Sequence, residues 1–125
     1  MNKKKPIEIK WMPVVEQRDY PAAESYLNLL YNIDKVGKII TKFRSAPIVQ
    51  FKAKDIFRAS RLSVLGVSNS HVEKDRIKIR KGKPLSPLLL LRDKEDSKVV
   101  IADGYHRMCA VYEINEDAMI PCKIV

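Results

Sequence analysis

The sequence predicts a mixed α/β (α+β) domain, a small mixed sheet flanked by helices. Three observations carry this. Leu88 to Leu91 form a fully apolar run, which places a strand at the centre of a sheet. Val99, Val100 and Ile101 form a second, β-branched run. It breaks at Asp103-Gly104 and gives way to Met108, Val111, Tyr112 and Ile114 at helical spacing, with Ala110 small enough for close packing. Around these two runs the punctuation reads strand, polar hairpin at 93–97, strand, turn, helix, loop at 115–117 and a final strand I-P-C-K-I-V.

The elements follow in order. Residues 1–20 are irregular or hold a short strand around Ile7–Trp11, with Pro6, Pro13 and Pro21 as punctuation and Trp11 and Met12 as anchors. A helix is predicted over 22–31 with Ala22, Tyr26, Leu29 and Leu30 as its apolar face. Asp34 is the expected N-cap of a second helix, whose stripe is Val36, Ile39, Ile40 and Phe43. These helices read as an N-terminal addition, a stripe of this kind serving core packing before any dimer contact. Pro47 opens a new section in which Ile48, Val49 and Phe51 suit a strand. A short helical segment follows, with Ile56, Phe57 and Leu62 inward. After a loop at Gly66, Ser68 or Ser70 is expected to cap a helix over 71–81. On it Val72 and Ile79 share one face, and His71, Lys74 and Lys78 share another. Gly82 ends it.

At 125 residues the chain suits a single domain with a real core: an N-terminal arm and helices over 1–46, and the main α/β unit over 47–125. No apolar run reaches the roughly 18 residues of a membrane span. The basic start, Lys3 to Lys5, has no apolar segment after it, so no signal peptide is expected. Cys109 and Cys122 are too few for a disulfide framework, and the expected setting is reduced and cytoplasmic. The net charge of +9 calls for an anionic partner, or serves solubility alone. It is uneven: Lys74, Arg76, Lys78, Arg80, Lys81 and Lys83 stand against the single acid Asp75, whereas acids predominate after Asp93.

The chemical signal lies at Asp103-Gly104-Tyr105-His106-Arg107. The first N–H groups of a helix have no partner within it, and the helix dipole places partial positive charge there. Basic residues in that turn make sense if an anion sits between them and the N–H groups. Gly104 permits close approach of the backbone and a positive φ. Asp103 suits a helix cap or a ligand to Mg²⁺ beside a phosphate. The plain alternative, of equal weight on these residues, is a cap followed by two surface charges. A zinc site is disfavoured, because His71, His106, Cys109 and Cys122 would all have to converge.

The stretch D-G-Y-H-R-M-C-A resembles the phosphate-binding turn of the ParB/sulfiredoxin superfamily: G-x-R-R-x-x-A-A in ParB proteins, G-C-H-R-x-x-A in sulfiredoxins, and a D-G-H-x-R type turn in the ADP-dependent free-serine kinases. Gly104, His106 and Arg107 fall on the Gly, His and Arg of the sulfiredoxin form. The segment L-S-P-L-L-L-L is similar to the L-Q-P-I-x-V strand of ParB proteins, and the likeness reaches back to about Pro47. The resemblance implies a ParB/sulfiredoxin-like fold and a nucleotide, with ATP, ADP and CTP not distinguished, held with Mg²⁺. His71, Lys74 and Lys78 would face it from the preceding helix. Gly104, Tyr105, His106 and Arg107 would bind its phosphates, and Asp103 and His106 are the candidate catalytic groups.

Departures from the pattern matter. Tyr105 stands where sulfiredoxins carry their catalytic cysteine, so sulfinic acid reduction is disfavoured. Cys109, four residues on, reads as buried packing. The chain ends at Val125 with no room for the helix-turn-helix of partitioning ParB proteins. For the acid that the serine kinases use, Asp55 and Asp103 are the candidates. Nucleotide binding, with phosphoryl transfer or hydrolysis, therefore leads. A nucleic-acid-binding or nuclease-like module using the basic helix 71–83 comes second, and a non-catalytic partner-binding protein third.

Overall fold

The computed structural model describes residues 7–63, 65–66 and 69–125. Its elements run α1 (Asp19–Leu27), α2 (Ile33–Ser45), β1 (Val49–Lys52), α3 (Ala53–Ser60), α4 (Ser70–Arg80), β2 (Leu88–Asp93), β3 (Lys98–Asp103), α5 (Tyr105–Ile114) and β4 (Met119–Ile124). The four strands form one mixed sheet in the order β1-β4-β2-β3. β2 and β4 are parallel and the other two pairs antiparallel.

Four consecutive leucines explain the layering. Side chains alternate across a strand. Leu88 and Leu90 enter one core with Ile101, Ile120 and Cys122 of the sheet and Ile56, Val72, Ile79, Met108 and Val111 of α3, α4 and α5. Leu89 and Leu91 enter the other, with Val100 and Ala102, against Leu27 of α1 and Val36, Ile39, Ile40 and Phe43 of α2. The molecule is three layers: two helices, the sheet, three helices. The N-terminal helices thus supply one layer of the core.

Local differences from the sequence expectation have physical causes. The first helix starts at Asp19, because Pro21 is tolerated within a first turn, and it buries Tyr20, Ala23 and Leu27. The face expected from Ala22, Tyr26, Leu29 and Leu30 is exposed, Leu29 at 82%. The cap of α2 is Asn32, whose Oδ1 accepts from the Lys35 N–H at 2.9 Å; Asp34 lies inside the first turn. Ile56 is buried and Phe57 packs against the core, but Leu62 is exposed. Asn69 caps α4, accepting from the N–H groups of His71 and Val72, so Ser70 is already helical. Ser68 and Lys3–Lys5 lie outside the described residues. Trp11 makes an isolated parallel bridge to Leu85 instead of a strand. Among the described residues no helix is long and apolar enough to cross a membrane.

Candidate functional site

The site begins where β3 ends. A register shift between Leu89 and Leu90 sets Leu90 opposite Ile101 and Leu89 opposite Asp103, a bulge that re-aims the end of the strand. Gly104 then turns the chain with φ +106°. A Cβ there would stand 2.7 Å from Leu88 Cγ and 2.9 Å from Arg107 Nη2, so glycine is required by backbone and packing alike. Gly104 is also the N-cap of α5, and no side chain caps it. The first bond of the helix runs from the Met108 N–H to the Gly104 carbonyl, at 2.9 Å. The N–H groups of Tyr105, His106 and Arg107 precede it and point out of the helix end.

Arg107 is turned inward. Its Nη2 lies 3.1 Å from Asp103 Oδ2, 3.5 Å from Asp19 Oδ2 and 3.4 Å from the Pro87 carbonyl. Asp19 also accepts from the Ser86 hydroxyl at 2.6 Å, and that hydroxyl takes the Glu16 N–H at 3.0 Å. The guanidinium therefore ties α1, the approach to β2 and the turn together. Burial pushes the Asp103 carboxyl above its ordinary value, with Arg107 opposing. Asp103 is thus a partner of Arg107 through Oδ2 and, against expectation, caps no helix, since Gly104 is the N-cap of α5.

α4 packs beside α5 and faces the turn across a cleft of about 210 Å³. His71, Lys74, Asp75 and Lys78 line it from α4; Asp103, Gly104, Tyr105, His106 and Arg107 line it from the turn. Every residue expected at the phosphate or ligand site is therefore on one cavity. The rings of His71 and His106 are 4.8 Å apart. Burial and the neighbouring His71 lower the pKa of His106. Asp75 was not foreseen. Its carboxyl is half-buried and pushed up by desolvation, against the pull of Arg107, Lys78, His106 and His71. Its place between Lys74 and Arg76 in a basic run marked it only as an exception in charge.

Charge in the cleft is nearly balanced. Arg107 with Asp19 and Asp103 leaves one negative charge, and Lys74 and Lys78 with Asp75 leave one positive.

Other candidates are not brought together. Asp55 lines a separate hollow with Ile56, Leu90 and Arg92. Cys109 and Cys122 are free and fully buried in the core, and burial raises both thiols, Cys122 to about 11. Neither is a reactive thiolate. The Tyr105 hydroxyl donates to the Ser63 carbonyl. Among the described residues no three His, Cys, Asp or Glu side chains converge as metal ligands. Compared with protein-family models, curated proteins and solved structures, the chain finds no match.

Proposed function

We propose that this chain has a ParB/sulfiredoxin-like fold and binds a phosphate-bearing ligand, a nucleotide, in the cleft between α4 and the start of α5. The observation that carries the reading is the meeting of two independent features. Tyr105, His106 and Arg107, whose N–H groups open α5, line the same cleft as His71, Lys74 and Lys78, which stand about one turn apart along α4. Lys74 and Lys78 supply charge for the phosphate oxygens from α4, opposite the helix N-terminus.

Arg107 has a different part here from the one its position in the motif implies. Two carboxylates hold it, and it braces the turn whose N–H groups meet the phosphate. Asp103 is engaged in the same pair through Oδ2, and Mg²⁺, if it accompanies the phosphates, would meet the chain at the other carboxylate oxygen. Hydrolysis or phosphoryl transfer at such a cleft would rest on positioning and charge neutralisation.

The test is thermal stability with ATP, ADP, CTP, GTP and AMP, each with and without Mg²⁺, on the wild type and on a Lys74→Ala/Lys78→Ala variant. These lysines are outside the core, so the variant keeps its fold. A ligand that binds only the folded state raises the melting temperature. The expected result is a rise with at least one nucleotide, lost in the double variant. No rise with any of them contradicts the proposal. If nucleic acid binds instead, through Arg80, Lys81 and Lys83, the affinity falls steeply with salt for many sequences alike. Neither response leaves the partner-binding reading.

A further inference from the structure

A second hollow, of about 370 Å³, lies against the same turn. Asp103, Gly104, Tyr105 and His106 form the wall it shares with the cleft. The rest of its lining is Ala22 and Tyr26 of α1, Leu62, Ile101 and Ala102. Where the cleft is lined by charged and polar side chains, this hollow is lined mainly by apolar ones. Tyr26 and Leu62 are each 42% exposed and belong to neither core. Large apolar side chains left outside the core around a concavity mark a binding surface more often than scattered single ones do.

We propose that this hollow receives a planar aromatic group joined to the phosphate held in the cleft. The inference rests on the phosphate-site reading above and extends it to the class of ligand. The cleft, at about 210 Å³, falls below the roughly 300 Å³ at which small-molecule sites begin, so a larger phosphorylated ligand extends beyond it. On the other side of the four residues that the two hollows share lie a tyrosine ring, Tyr26, and the aliphatic side chains of Leu62 and Ile101. Such a surface suits a ring, which gains area and aromatic contact. It does not suit a bare sugar, whose hydroxyls would lose water without finding partners. Recognition by area and stacking also admits more than one ring. A nucleobase and a simple aryl group are both of the right chemistry, and α1 is then part of the ligand site as well as of the core.

The test is calorimetric titration of the full chain with inorganic phosphate, ribose 5-phosphate, phenyl phosphate and AMP. It is run on the wild type, on Ala22→Trp, which fills the hollow from an exposed helical position, and on Tyr26→Ala, which removes the ring. The expected result is about tenfold tighter binding of phenyl phosphate or AMP than of inorganic phosphate or ribose 5-phosphate. That advantage disappears in both variants. AMP ahead of phenyl phosphate identifies a nucleobase as the occupant; phenyl phosphate level with or ahead of AMP identifies a general aryl site. Equal affinity for all four ligands, still dependent on Lys74 and Lys78, overturns the aromatic subsite and leaves the phosphate site standing. Binding that ignores those lysines, or no binding at all, overturns both.

Discussion

Arg107 concentrates the energetics of the site. Its guanidinium is only 17% exposed and its partner Asp19 9%, so each has given up most of its water for the other. Removal of one partner from such a group leaves an uncompensated buried charge, which costs about 3 kcal/mol. Arg107→Ala is therefore expected to lower the unfolding free energy by about that much in urea titration, with Arg107→Lys losing less. The deficit depends on pH in a definite sense. Asp103 already binds its proton more tightly in the fold than in the unfolded chain. Without Arg107 that preference grows, so folding gains stability as pH falls through the raised value towards the ordinary carboxylate range. The variant should lie closest to the wild type near pH 4–5 and furthest from it near neutrality. A deficit that stays constant over that range contradicts the ion-pair account. The turn itself was legible in sequence, because Asp103, Gly104, His106 and Arg107 are neighbours in the chain. Asp19 was not: it is 88 residues from Arg107, and local periodicity says nothing about such a partner.

Among the elements, those with one possible hydrophobic phase were legible and those with two were not. The stripe Val36, Ile39, Ile40 and Phe43 of α2 is buried as its spacing predicts, and the leucine run became an interior strand covered on both faces. In α1 two stripes compete. Ala22, Tyr26, Leu29 and Leu30 carry more apolar bulk, yet Tyr20, Ala23 and Leu27 meet the sheet, and the helix ends before Leu29. The choice is made by tertiary packing against Leu89 and Ala102. It predicts unequal costs. Leu27→Ala should destabilise by about 2–4 kcal/mol, as a large buried side chain replaced by a small one does. Leu29→Ser should stay within about 0.5 kcal/mol. Equal effects in chemical denaturation contradict the observed face.

At the scale of the molecule, the three layers make the N-terminal helices indispensable. A chain cut to residues 47–125 retains every strand but uncovers Leu89, Leu91, Val100 and Ala102 on one sheet face and strips Asp19 from Arg107. Such a fragment is expected to lack a cooperative thermal transition and to be cut rapidly by protease, while the full chain resists. A fragment that melts cooperatively at a similar temperature contradicts this. The division at residue 47 follows a real change of sequence texture, from two amphipathic helices to alternating strands and helices. Texture reports what each segment is made of and not which face of a later strand will cover it. The same long-range packing carries α1 to the turn, which is how an element read as an addition comes to border the candidate ligand site.

The central claim is that the start of α5 and the basic face of α4 hold one anionic ligand between them. Amide chemical shifts during titration of the labelled full chain with ADP test it most directly, because they report which backbone groups meet the ligand. The largest shifts are expected on Tyr105, His106 and Arg107, with smaller ones at His71, Lys74 and Lys78. Shifts confined to other basic surfaces, such as Lys35, Lys38 and Lys42 on α2, would contradict it.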